Sequence, residues 1–148
     1  MTLEVPRLQK YALFGGLSED QIAGVLPYLE ERRFLTGQTI LKEGDRNDRV
    51  FFILEGNVIV RKDGITLAEF DSGDAVGEME ILGVRPASAT LLAMSDVKTV
   101  SLSNTALYKI YKEDIHTYAM IILNLARELS RRLRRMNEYA AQREIESE

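Results

Sequence analysis

The residues best placed to do chemistry in this chain lie between Asp71 and Thr90. Asp71-Ser72-Gly73-Asp74-Ala75-Val76 reads as a glycine-rich turn and the end of a strand. Gly77-Glu78 then opens a short apolar helical turn, and a loop with Pro86 leads into a new strand at Ala89-Thr90. Free backbone N–H groups at such a helix start make a seat for an anion. The chemistry on offer is therefore anion binding. Catalytic readings fare worse. Cysteine is absent, which removes disulfides, thiolate nucleophiles and thiolate metal sites. The single histidine, His116, cannot build a histidine cluster and reads as a surface or boundary residue. Glu78 and Glu80 are a carboxylate pair that could in principle do acid–base work. No further groups complete a catalytic constellation, so the chain is read as non-enzymatic, with no metal and no cofactor.

Something must position that loop, and length bounds the answer. The chain has 148 residues, 45% of them hydrophobic and 28% charged, which suits one globular domain with one sizeable core. The first residues mix charged and apolar types, unlike a secretion signal. No apolar run approaches a membrane span. A reducing, cytoplasmic setting is the expectation. The net charge is −4, and all of it lies before Tyr111: 12 basic against 16 acidic residues up to Ile110, then 7 of each.

Three segments are legible. Residues 1–30 read as helical, with Leu3, Leu8, Tyr11 and Ala12 on one face and Pro6 limiting the start. Ser18-Glu19-Asp20-Gln21 is a capping-box signature, and Ile22, Val25, Leu26 and Leu29 follow at helical spacing. Residues 31–102 read as a β-roll core, the segment that contains the candidate anion-binding loop. Short β-prone runs fall at 33–35, 39–41, 50–54, 58–61, 66–70, 89–93 and 97–102, with turn residues between them. Asp63-Gly64 between two such runs is a hairpin signal. Many short strands with regular turns predict a mainly β fold with flanking helices, a double-stranded β-helix (jelly roll) of about eight strands. Residues 103–148 read as C-terminal helices, a short one at 105–110 and a long one from about 113. The three segments form one domain overall.

The long helix carries a seam. Ile115, Ala119, Ile122, Ala126, Leu129, Leu133, Met136 and Ala140 are spaced by alternating steps of four and three, the pattern of a coiled coil. A second set, Met120, Ile121, Leu123 and Leu125, is available to pack on the roll. That set stops while the seam continues, which predicts pairing with the same helix of a second copy. Packing of the seam on its own roll is the plainer alternative. Arg127, Arg131, Arg132, Arg134 and Arg135 form a basic knot, read as a solvated face in which Glu128–Arg132 is a favourable i,i+4 pair.

Gly77-Glu78, a short apolar turn and then Pro86-Ala87-Ser88-Ala89-Thr90 resemble the phosphate-binding cassette of the cyclic-nucleotide-binding domain family. That family includes catabolite activator protein and the regulatory subunits of cyclic-AMP-dependent protein kinase. Lys42-Glu43-Gly44-Asp45, Val50-Phe51-Phe52-Ile53-Leu54-Glu55-Gly56 and Gly73-Asp74 match its turn glycines and central strands. Ala126-Arg127-Glu128-Leu129 lies where its C-terminal helix runs. The resemblance covers residues 13–136. It implies that Glu78 accepts from a ribose 2′-hydroxyl and that the backbone at Gly77 and Met79 helps hold the ribose–phosphate. It implies also that Ser88 and the N–H of Ala89 contact the cyclic phosphate, with Arg131 and Arg132 over the base. The family's phosphate-binding arginine directly follows the proline, where this chain has Ala87. Glu80 stands where the family carries a small residue. Arg85, Arg61 or Lys62, and an arginine from the long helix are the candidate replacements for the missing cation.

Two functions follow. One is a regulatory, signal-transducing module that binds a small anionic ligand, cAMP or cGMP, weakly, and signals through its C-terminal helix. The other is a degenerate domain that binds no cyclic nucleotide and acts as a dimerisation or protein-interaction scaffold. The expected partner is a second copy through the C-terminal helix. DNA contact would need a helix-turn-helix domain after that helix, and this sequence contains none. No feature identifies a downstream protein.

Overall fold

Strand β3 (Arg49–Glu55) shows how the sequence dictates the architecture. Its residues from Val50 to Leu54 are all buried, so both of its faces meet apolar layers. Val50, Phe52 and Leu54 face a cluster shared with the helices, whereas Phe51 and Ile53 face the interior of a roll. This is the period-two alternation of a strand, with no solvent side. In the computed structural model, residues 5–77 and 87–147 are described.

The remaining strands are β1 (Glu30–Phe34), β2 (Thr39–Leu41), β4 (Val58–Lys62), β5 (Ile65–Phe70), β6 (Ala75–Val76), β7 (Thr90–Ala93) and β8 (Val97–Ser103). They form two four-stranded antiparallel sheets, β1-β8-β3-β6 and β2-β7-β4-β5. The predicted roll of about eight strands is therefore present, flanked by helices. Asp63 and Gly64 both adopt positive φ between β4 and β5, as a tight hairpin turn requires.

Several boundaries differ from expectation, each for a local reason. β1 begins at Glu30, earlier than expected, and pairs with β8 from Glu30↔Ser101 to Phe34↔Val97. Four of its five residues are charged, so no alternation marked it as a strand. β6 falls where the sequence reads as the end of a strand. It is only two residues long and exists through pairing with Phe51 and Phe52 of β3. At the N-terminus, the first helix is Val5–Leu8, Tyr11 is extended, and Ala12–Phe14 is a 3-10 turn. The Ser18/Gln21 capping box is formed, with both reciprocal hydrogen bonds, and starts the helix Glu19–Val25. Pro27 then converts the chain to a 3-10 turn, Leu26–Tyr28, so Leu29 leaves the helical face.

The short C-terminal helix is Asn104–Glu113, longer than expected at both ends, and Ser103 caps its start by accepting from Ala106 N–H. Asp114 is extended and separates it from the long helix Ile115–Ser147. One Asp114 carboxylate oxygen accepts from the N–H groups of His116 and Thr117, and the other from the Thr117 hydroxyl. These bonds satisfy otherwise unpaired donors of the helix start and hold the Asp114 carboxyl below the usual range, the Thr117 hydroxyl contributing most.

At 1.5 Å per residue the long helix reaches about 50 Å. Its core-facing side is Thr117, Ile121, Asn124, Leu125 and Glu128, all buried. Met120 packs against the same cluster. Leu123, expected with that set, is exposed, because two positions from Ile121 and from Leu125 it turns to the opposite side. In the seam, Ile115, Leu133 and Met136 are 51%, 59% and 63% exposed. Ala119 and Ala126 are also exposed, while Ile122 and Leu129 are half-buried. The chain's own core thus covers Ile122 and leaves Ile115, Leu133 and Met136 largely exposed. Among the described residues no helix is long and apolar enough to cross a membrane.

Candidate functional site

A cavity of about 680 Å³ opens between the β2-β7-β4-β5 sheet and the long helix. Leu41 of β2, Val60 and Lys62 of β4, and Leu91 of β7 line its sheet side. β5 adds Leu67, Ala68, Glu69 and Phe70. Alternation along β4 explains Lys62: it shares the inward side of the strand with Val60, and Arg61 turns away. Val76, Gly77, Ser88 and Ala89 close one end, and Arg132, Arg135 and Met136 of the long helix lie across the opening.

The loop that the sequence singled out is reached through Gly77. Its φ is +84°, and a Cβ there would sit 3.2 Å from the Arg49 carbonyl and 2.9 Å from Asn47 Nδ2. Asn47 Nδ2 donates to the Gly77 carbonyl at 3.0 Å, so the turn is held from β3's side. A left-handed φ and a close backbone neighbour together favour glycine. Glu78, Met79, Glu80 and Arg85 lie outside the described residues.

The second half of the loop starts at Ala87, which is 3% exposed. Its N–H donates to Asp45 at 2.9 Å, and its carbonyl accepts from Gly44 N–H at 2.8 Å. Ala87 thus anchors the loop against the 42–45 turn and stands outside the cavity wall. Ser88 and Ala89, the next two residues, are in the wall. Thr90 is tied back, its hydroxyl accepting from Glu43 N–H at 3.0 Å.

From the basic knot, Arg132 and Arg135 line the cavity and Arg131 is exposed outside it. The reading of the knot as a solvated face is corrected for Arg132. Its guanidinium lies 4.3 Å over the Phe70 ring, a cation–π contact. Its Nη2 donates to the Ala75 carbonyl at 2.6 Å and to Glu128 Oε1 at 3.1 Å. Glu128 Oε1 also accepts from Ala75 N–H at 2.7 Å. Burial pushes the Glu128 carboxyl above its ordinary range, against the Ala75 N–H and the arginines, which favour the charged form. Of the candidate replacement cations, Lys62 is in the wall and Arg61 is not; Arg135, which was not among the assigned site residues, is in the wall as well. The signal was present: Arg135 and Met136 follow Arg132 by three and four positions, the spacing of one helix face. Met136, assigned to the seam, is in the wall as well.

The wall is amphipathic. Among the described wall residues, Lys62, Arg132 and Arg135 are cationic and Glu69 is anionic, while Leu41, Val60, Phe70, Val76 and Leu91 are apolar. Such a wall can take a small molecule with an apolar body and an anionic group.

Comparison with known proteins agrees with this geometry. The cyclic nucleotide-binding domain family matches residues 31–114. A cAMP-dependent protein kinase regulatory subunit from Yarrowia lipolytica is 30% identical over 104 residues, covering 70% of this chain and 28% of that protein. A CRP-like cAMP-activated global transcriptional regulator from Mycobacterium tuberculosis is 30% identical over 139 residues, covering 90% of this chain and 60% of that protein. The chain therefore spans less than two thirds of either relative. The crystal structure of a cyclic nucleotide-binding domain from Methylobacillus flagellatus superposes with a TM-score of 0.85 at 26% identity, over 94% of this chain and 81% of that one. With the family model matching more than half of the sequence, the chain belongs to the cyclic nucleotide-binding domain family.

Proposed function

We infer that this chain is a regulatory ligand-sensing module that binds a small anionic ligand, a cyclic nucleotide, in the cavity under its long helix. It signals through that helix, as a homodimer and without catalysis. The observation that carries this reading is the cavity itself. Its volume of about 680 Å³ falls within the size of small-molecule sites. Three cationic side chains, Lys62, Arg132 and Arg135, face one anionic one, Glu69, among the described wall residues.

The family resemblance supplies roles for the loop. Glu78 would accept from the ribose, Gly77 and Met79 would offer backbone, and Ser88 with the Ala89 N–H would meet the phosphate. Ala87 removes the arginine that normally completes that set. Charge-assisted hydrogen bonds contribute about 1.5–3 kcal/mol each, so affinity is lower by roughly ten- to several-hundred-fold than with an arginine there. Lys62 and the helix arginines offset part of the loss. The exposed seam residues Leu133 and Met136 support pairing of two long helices.

A second reading has its own support. Ala87 is buried and outside the cavity wall, as in a domain kept for its fold and its helix alone. Calorimetric titration of cAMP and cGMP separates the two. Saturable micromolar binding upholds the sensor. No heat up to millimolar ligand leaves the dimerisation scaffold as the function.

A further inference from the structure

The long helix holds β6 at a single residue. β6 is the edge strand of its sheet, and the Asp74 carbonyl beside it accepts from Ile53 of β3. Ala75 N–H and C=O therefore turn outward, to where a further strand would lie. The helix takes both. Glu128 Oε1 accepts the N–H at 2.7 Å, and Arg132 Nη2 donates to the carbonyl at 2.6 Å. The same Nη2 is 3.1 Å from Glu128 Oε1. Arg132 meanwhile stacks on Phe70 and lines the cavity. One guanidinium thus belongs to the latch and to the ligand site.

We propose that Arg132 is exchanged between these two: an anionic group in the cavity turns its guanidinium off Ala75 and Glu128, and this unpins the long helix from β6. The inference rests on the proposed anion-binding function and adds the contact that carries occupancy to the helix. A single nitrogen makes both latch bonds, and the Phe70 face fixes the plane of the group. Rotation toward the cavity consequently breaks both together. Glu128 is then a buried carboxylate without its cation, a costly state that is relieved when the helix moves it toward water. Coupling is reciprocal. Glu128 competes with the ligand for Arg132, so weakening its hold strengthens binding.

Residue-resolved amide hydrogen exchange tests this on the full chain, with cAMP, cGMP and inorganic phosphate as probes. Ile53 N–H, which donates to Asp74, serves as the internal control. Saturation is expected to speed exchange at Ala75 by about tenfold or more while Ile53 is unchanged. Glu128→Gln is expected to bind cAMP roughly three- to tenfold tighter, because a neutral amide holds a guanidinium about half as strongly as a carboxylate does. A residue that merely supported the fold would weaken binding when altered. Arg132→Met is expected to exchange fast at Ala75 without ligand and to stop responding to it. Binding of cAMP or cGMP with Ala75 unchanged, or weaker binding by Glu128→Gln, overturns the exchange and leaves the sensor standing. Acceleration by phosphate alone upholds the exchange and removes the cyclic nucleotide. No response or binding with any probe overturns both.

Discussion

Asn124 Nδ2 lies 2.6 Å from the carbonyl oxygen of Leu13 and 2.9 Å from that of Gly15. A side chain in the middle of the long helix thus satisfies two backbone acceptors of the N-terminal segment more than a hundred positions away. Leu13 and Phe14 sit in the same cluster as Ile121 and Leu125, so this polar contact is enclosed by apolar packing. Asn124→Leu keeps the volume and removes both donors. Each buried carbonyl left without a partner costs about 1–3 kcal/mol. Urea denaturation is expected to show a loss of at least ~2 kcal/mol. A change below about 0.5 kcal/mol would mean that water replaces the amide.

Gly56 has φ +96°, and a Cβ there would stand 2.4 Å from the backbone carbonyl of Asp96. Gly37 has φ +88° with nothing within 4 Å of such a Cβ. The conformational penalty alone is about 1–2 kcal/mol. Gly37→Ala is expected to lose about that much, and Gly56→Ala clearly more, because backbone must shift between β3 and β8. Equal midpoint changes for the two variants would refute the steric argument.

Glu128 and Glu30 are expected to give opposite pH slopes. The Glu128 carboxyl is raised above its ordinary 4.5, mainly by burial. Its contribution to stability is present below the unfolded value and is lost as pH rises through the folded one. The wild type should therefore lose stability relative to Glu128→Gln from about pH 4.5 upward. Arg132, Arg131 and the Ala75 N–H limit that loss, and Asp74 adds to it. The Glu30 carboxyl is lowered, chiefly by its hydrogen bond with Arg49. Its contribution is present above the unfolded value and is lost as pH falls through the folded one. Thermal midpoints of wild type, Glu128→Gln and Glu30→Gln from pH 3 to 8 check both signs. Parallel curves would refute both.

Leu133→Asp tests the seam. Leu133 is 59% exposed and outside the cavity wall, so the change should spare fold and ligand site. Sedimentation is expected to show twice the 16.8 kDa chain mass for the wild type and the single mass for the variant. A monomeric wild type at tens of micromolar removes the dimer from the proposed function.

Much of the roll was legible in local residue order. The Ser18/Gln21 box, the Asp63-Gly64 hairpin and the uninterrupted apolar run of β3 each act over a few positions. Their signals survive in one dimension. β1 showed only as a run at 33–35 and β6 only as the end of a strand, because neither carries a full pattern of its own. Charged β1 and two-residue β6 are strands only by pairing with β8 and β3.

For the site, sequence alone determined the glycine-bounded loop, the alanine at position 87 and a seam spaced for a second helix. Those are matters of residue type and interval. Only the tertiary structure decided which cations face the cavity. Lys62 arrives there through the alternation of β4, and Arg135 through its helical spacing from Arg132, once sheet and helix are set against each other. Arg131 and Arg132 are neighbours of identical chemistry, yet one is in solvent and the other lies on Phe70 and Ala75. A helix turns about 100° per residue, so where it docks on the roll decides which arginine reaches the site.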